Sequence, residues 1–188
     1  MRGVALALAI ALVAPGRSAS ADAPAAEVAR SANIPERPEG QVLDQADILS
    51  TPVETALAKR LSAYWQQTRT AVVVVSVTSL NGEPVDQYSL ELARKWEIGD
   101  KANLRGLLVL VSPSDHQARI EVSCGLENVI TNAFAGQVMR DQLMPAFKGG
   151  RFEDGILAGI DALIRRLDAS PNPAPVSREC QQEMRPAA

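Results

Sequence analysis

The run IEVSCGLENVITNAFAG, Ile120 to Gly136, gathers side chains that could do chemistry. Cys124 supplies a thiol, Glu127 a carboxylate and Asn132 a carboxamide, where a strand-like alternation breaks before a helical pattern. Elsewhere Asp44 and Asp47 precede an amphipathic run, and Asp100 follows Gly99. A cysteine-type phosphatase wants an arginine after a five-residue loop, so that a guanidinium and a helix N-terminus hold the phosphate; here that position is Ile130. A serine or cysteine triad needs a histidine base. The one histidine, His116, lies at the far end of the strand that leads to Cys124 and reads as a solvated turn residue. Structural zinc takes four Cys or His ligands, and the chain holds two Cys and one His. Neither a G-x-x-x-x-G-K-[ST] phosphate loop nor a G-x-G-x-x-G turn occurs. Oxygen chemistry remains. Hard cations such as calcium collect carboxylate and carbonyl oxygens from loops, although Asp, Asn and Glu stand at the same places as helix caps and turn residues. Spacing alone leaves both readings open.

The ends of the chain bound where such a site could operate. Val4 to Ala14 is an apolar run behind Arg2, and Ala19-Ser20-Ala21 gives an A-x-A cleavage pattern, so residues 1–21 read as a secretory signal peptide. The run is shorter than the roughly 20 residues a spanning helix needs. The expected product is periplasmic or secreted, with no membrane span after cleavage. The full chain carries a formal net charge of −3, and loss of Arg2 and Arg17 makes it more acidic. No basic stripe is visible, which argues against a nucleic-acid partner. Prolines 24, 35 and 38 mark residues 22–40 as an unstructured linker, and prolines 171, 173, 175 and 186 mark 169–188 as an unstructured tail. The folded unit is expected over 41–168.

Within it the periodicity changes repeatedly. Thr51-Pro52-Val53-Glu54 reads as a capping box, and Val53, Leu57, Leu61, Tyr64 and Trp65 follow at helical spacing. TAVVVVSVTSL is too β-branched for a helix and lacks polar alternation, as a strand buried on both faces would. An Asn81-Gly82 turn, a helix through Val85, Tyr88, Leu92 and Trp96 that stops at Gly99, and the apolar strand GLLVLV come next. Strand, helix, strand of this length implies a right-handed parallel crossover. After a turn at Pro113–His116, ARIEVS alternates and should run antiparallel near an edge. Helices are expected over about 133–147 and 152–167. The fold class is α/β, a three-layer α/β/α sandwich with a mixed central sheet. Ligands of such sheets collect beyond the carboxyl ends of the parallel strands.

Cys124 has two readings: a small half-buried side chain filling a gap, or one half of a disulfide with Cys180, since an exported domain with two cysteines meets an oxidising compartment.

The segments VLDQADILS, TRTAVVVVSVTSLNGEPVDQYSLELARKWEIGDKANLRGLLVLV, RIEVSCGLENVITNAFAG and MPAFKGGRFEDGILAGIDAL together resemble the TPM domain family, also called the TPM phosphatase or DUF477 family. That family is similar to the thylakoid-lumen photosystem II repair proteins of plants. The resemblance runs from about Gln41 to Leu167 and implies a compact α/β sandwich, exported or lumenal, with divalent-metal binding and acid-phosphatase activity in some members. Its V-x-D-x-A-x-x-L-S aspartate falls on Asp44 and its G-L-E-G glutamate on Glu127, which the resemblance marks as metal ligands. A family aspartate in a T-D-A setting is Asn132 here, and a family G-Y-G is Ser123-Cys124-Gly125. Many members continue into a membrane helix or a glycine-rich tail, whereas this sequence stops at Ala188. Replacing a carboxylate with Asn132 should weaken a hard-cation site.

Two functions follow. One is a divalent-metal-binding module, calcium being the expected ion, that acts through an unknown protein partner in envelope protein maintenance. The other is a metal-dependent acid phosphatase in which Asp44 and Glu127 hold an ion that polarises phosphate or activates water. Both expect Asp44, Glu127 and Asn132 to converge on one loop cluster, and the phosphatase further expects Arg69, Lys101 or Arg105 beside them. The leader carries its own test: cleavage after Ala21 should give an exported chain whose intact mass begins at Asp22, and a retained Met1 in that fraction would contradict the reading.

Overall fold

The computed structural model describes residues 34–99, 104–170 and Cys180. The expected leader lies outside these residues, as do Asp100 and Lys101. One sheet runs in the order β1 (Val42–Asp44), β2 (Ala71–Ser76), β3 (Gly106–Ser112) and β4 (Gln117–Val122). The first three strands are parallel and β4 is antiparallel to β3. Among the described residues five α-helices pack around it: α1 (Thr51–Thr68), α2 (Val85–Lys95), α3 (Asn132–Val138), α4 (Met144–Lys148) and α5 (Phe152–Asp168), with a π-helical segment, Met139–Leu143, between α3 and α4.

Every residue of β2 and β3 is buried. Strands without polar alternation need cover on both faces, and both faces have it. Val72, Val74, Leu107, Val109 and Ile120 pack with Leu57 and Leu61 of α1 and Ile156, Ile160 and Leu163 of α5. Val73, Val75, Leu108 and Leu110 pack on the opposite side with Tyr88 and Leu92 of α2 and with Trp96. The expected three-layer sandwich with a mixed sheet results.

Several local expectations are corrected. β1, three residues and too short for a period of two to show, is a strand that no pattern in the sequence announces; Val74 N–H donates to Gln41 O at 2.9 Å and Gln45 N–H to Ser76 O at 3.1 Å. The N-cap of α1 is Ser50, with no side-chain cap of its own. Its N–H donates to Glu153 Oε2 of α5 at 2.7 Å, so the carboxylate that a capping box takes from the third helical position comes instead from a distant helix. α1 and α5 lie side by side and parallel, as Arg60–Asp161 at 2.6 Å and Tyr64 OH to Asp168 Oδ1 at 3.0 Å also require. The single helix expected over 133–147 is broken. Pro145 has no N–H with which to close an α turn on Asp141, and Met144 N–H reaches back to Met139 O in a π turn.

Residues 34–40, placed by their prolines in an unstructured flank, are packed against the end of α2. Ile34 is buried, Trp96 Nε1 donates to Pro35 O at 2.9 Å, Lys95 Nζ donates to Ile34 O at 2.9 Å, and Arg37 Nη1 donates to Trp96 O. Irregular backbone is satisfied here by side chains rather than by a ladder.

Two predictions come from this packing. A Cβ at Gly159 would collide with Leu143 Cδ1, a fully buried side chain of the π segment. Gly159→Ala should therefore lower stability by about 1–2 kcal/mol in denaturant titration, overpacking outweighing the gain of about 1 kcal/mol in helix propensity. The β3–β4 turn depends on Asp115, whose carboxylate accepts from Ser112 Oγ and Leu80 N–H, each at 2.6 Å. The Ser112 hydroxyl, then the Leu80 amide, hold its pKa below the ordinary carboxylate value. The unfolded chain takes up that proton first. The contribution is thus full above the unfolded pKa of about 3.9 and lost as pH falls through the lower folded value. Asp115→Asn should flatten the fall of Tm with pH in that acid window.

Candidate functional site

Asp44 ends β1 in register with Ser76, and Ser76 is in register with Val111, which puts all three at the carboxyl end of the parallel strands. The sequence folds tightly there because one carboxylate gathers the next loop. Asp44 Oδ1 accepts from Ile48 N–H at 3.2 Å, Oδ2 accepts from Leu49 N–H at 2.8 Å, and Ser76 Oγ donates to Oδ1. The same hydroxyl accepts from Ala46 N–H at 3.0 Å. The three bonds to the Asp44 carboxylate are charge-assisted, the stronger kind.

Glu127 and Asn132 stand at the other end of the sheet. Because β4 runs antiparallel to β3, the chain leaves it beside the start of β3: Ser123 N–H donates to Gly106 O at 2.9 Å and Gly125 N–H to Leu104 O at 3.2 Å. The loop then turns on Leu126, Val129 and Ile130, which are buried, and leaves Glu127 exposed. Val129 O accepts from Arg166 Nε at 3.0 Å in the last turn of α5, and the Arg166 guanidinium lies 5.5 Å from the Phe134 ring centroid. Thr131 caps α3 by accepting from Phe134 N–H at 3.2 Å, and Asn132 is the exposed first residue of that helix. From Gly106 to Val111 β3 rises about 17 Å.

The structure therefore brings Glu127 and Asn132 to one loop but does not bring Asp44 to them. Antiparallel pairing of the strand before Glu127 already required this, since it sends the following loop to the amino end of the parallel strands. Among the described residues no group of three or more His, Cys, Asp or Glu side chains is placed to hold a metal ion. The expected set Asp44, Glu127 and Asn132 does not fit a single cation. The cations sort the same way. Arg69 follows α1 and lies 5.7 Å from the Trp65 ring centroid, and Arg105 precedes β3 close enough for its charge to act on Tyr64. Both belong to the amino end, away from Asp44.

Other groups are equally committed. Burial, then the bond to Asp168, pushes the Tyr64 phenol well above its ordinary range, against the pull of Arg105. Burial and then Glu83 raise Tyr88 to about 12. Both phenols stay protonated near neutrality and offer no phenolate nucleophile. A cleft of about 240 Å³ opens at the amino end beside Arg37, Gln41, Trp65 and Glu97. Another of about 440 Å³ opens at the carboxyl end beside Glu83, Asp86, Asp115 and Gln117. Asp44, Glu127 and Asn132 line neither.

Cys124 pairs with Cys180, with a Cα–Cα distance of 5.7 Å, the second of the two readings open from sequence. The bond closes a loop of 56 residues' separation, which by the chain-entropy account contributes about 4 kcal/mol. Sequence reasoning missed Ser76, although a lone hydroxyl closing the aliphatic run AVVVVS was its signal. It also missed Glu153, whose partner lies too far along the chain for any local pattern.

Comparison with known proteins agrees with this architecture. The N-terminal domain of a protein from P. gingivalis shares 29% identity and superimposes with a TM-score of 0.64, over 69% of this chain and 83% of that one. The N-terminal domain of the cg2496 protein from Corynebacterium glutamicum gives 14% identity and a TM-score of 0.54, over 74% and 86% of the two chains. The BA42 protein of the psychrophilic bacterium Bizionia argentinensis gives 21% and 0.53, over 70% and 87%. The last two show the fold alone. No protein with a curated description matches the chain. Among the described residues no helix is long and apolar enough to cross a membrane. The TPM domain model matches residues 42–166, β1 through the last turn of α5, and the chain belongs to the TPM domain family.

Proposed function

We propose that this chain is an exported TPM-domain module that works by binding a protein partner in the maintenance of envelope proteins, without the three-ligand cation site its motifs suggest. The observation that carries the reading is the state of Asp44. Both carboxylate oxygens are occupied by two loop amides and a strand-end hydroxyl, so the residue acts as the internal anion of its own loop. Glu127 is the complementary case, an exposed carboxylate on a loop stiffened by a disulfide, a buried apolar underside and the Arg166 bond. Exposed charge on a rigid loop suits recognition of a partner surface. Export is supported by the leader pattern and by the Cys124–Cys180 bond, which persists in an oxidising compartment. The acid-phosphatase alternative needs an ion between Asp44 and Glu127, and the separation of the two residues weighs against it.

Melting curves of the mature protein decide between these readings. Millimolar calcium or magnesium should leave Tm unchanged, and hydrolysis of p-nitrophenyl phosphate should stay at background with either ion. Asp44→Asn, which turns a carboxylate oxygen into an NH2 facing donors, should cost about 1–3 kcal/mol with chelator and with calcium alike. Glu127→Gln should change stability by less than about 0.5 kcal/mol. A calcium-induced rise in Tm, or calcium-dependent hydrolysis, that both substitutions abolish would restore the metal site and overturn the proposal.

A further inference from the structure

β4 is an edge of the sheet. The bond from Ser123 N–H to Gly106 O sets the phase of its ladder, so that Gln117, Arg119 and Glu121 exchange backbone bonds with β3. Ala118, Ile120 and Val122 consequently turn their N–H and C=O groups away from the sheet, and among the described residues no strand pairs with them. Such an edge is a template for another extended strand.

We propose that the partner is the same edge of a second copy of this chain, antiparallel, with a two-fold axis passing Ile120, so that the sheet continues across both copies. The order of the side chains argues for this occupant. With Ile120 opposite Ile120 of the other copy, Ala118 stands opposite Val122 and Arg119 opposite Glu121, each twice. The outward backbone groups of residues 118, 120 and 122 then meet as hydrogen-bonded pairs. Arg119 and Glu121 meet at the non-hydrogen-bonded positions, where side chains across a ladder are closest. A slip of two residues either way would set Arg119 against Arg119 or Glu121 against Glu121, so charge selects one register.

The two groups are prepared for it. Ser89 Oγ at 3.0 Å and Arg119 Nε at 2.8 Å both donate to Oε2 of Glu121, which leaves Oε1 for the other copy. The Arg119 side chain is 41% exposed, and its terminal nitrogens can reach across the seam. On the opposite face Ala118 and Val122 are partly buried against the same core as Ile120, so pairing would extend apolar cover there. A closed two-fold contact uses one self-complementary patch and stops at two copies. A single strand edge buries little area, so the dimer is weak and concentration-dependent. This inference goes beyond the partner reading above and does not rest on it.

Sedimentation velocity on the disulfide-bonded mature chain, from about 10 μM to about 1 mM, spans the weak-affinity range. The wild type should shift from monomer toward dimer. Arg119→Glu and Glu121→Arg should each weaken association by about tenfold or more, since each turns two attractive pairs into two repulsive ones. Mixing these two variants should restore it, because each then presents the charge the other lacks, and the double exchange should restore it as well. Ala118→Pro removes an outward N–H without touching the bonds to β3, and should abolish association while the monomer melts as a folded protein. If a charge variant fails to fold, this proline variant carries the test. A wild type monomeric throughout, or a dimer insensitive to Ala118→Pro, overturns the proposal. Loss with Ala118→Pro but no charge rescue on mixing overturns the register.

Discussion

Everything in this domain is arranged around two adjacent strands with no solvent face. Val72–Val75 and Leu107–Val111 are aliphatic throughout, and each residue is buried. That continuity forces a layer onto each side of the sheet and leaves polar work to the strand ends. Both strands end in a buried serine, Ser76 and Ser112, and each hydroxyl donates to a neighbouring aspartate, Asp44 at the end of β1 or Asp115 in the β3–β4 turn. Each aspartate in turn accepts backbone amides from loops, Ile48 and Leu49 in one case and Leu80 in the other. A buried hydroxyl without a partner costs on the order of 1–3 kcal/mol, and a loop carboxylate is an economical partner because it has capacity left for the amides. The aspartates at the carboxyl end are therefore explained by the strands they finish.

Much of this fold was legible in the chain. The layers, the parallel pair, the antiparallel β4 and the turn at His116 follow from runs of six or seven residues whose periodicity is unambiguous. β1 was not legible, because three residues carry no period and the strand exists only through bonds to Gln41, Gln45 and β2. The N-cap of α1 was misplaced by one residue for a related reason. Thr51 and Glu54 satisfy the local pattern, but Glu153 of a neighbouring helix accepts from the N–H one residue earlier, at Ser50. The break before Pro145 could have been read from the proline alone.

The placement of the candidate site residues has a different origin. The residue types were right for hard-cation chemistry, and Asp44 does sit at the carboxyl end where such sheets gather ligands. What separates it from Glu127 is topology: one antiparallel strand carries the chain back to the amino end before Glu127 is reached. The direction of β4 and the convergence of the two carboxylates were both expected from the sequence, and they exclude each other. Family motifs preserve residue identity along the chain, whereas a coordination shell needs proximity in space, and only the second is altered when a strand changes direction.

The amino end then takes on a distinct character. Gly125 is bonded to Leu104, Cys124 to Cys180, Val129 O to Arg166, and Leu126 and Ile130 are fully buried, so the loop that carries Glu127 is fixed from four directions. Ordering a loop on binding costs about 1–2 kcal/mol per residue, and a loop already held this way avoids that cost when a partner docks. The closing turn at Asp115 and the wrapped loop at Asp44 give the other end its rigidity through internal carboxylates whose oxygens are occupied. At the amino end the result is an exposed carboxylate, Glu127, carried on a fixed backbone.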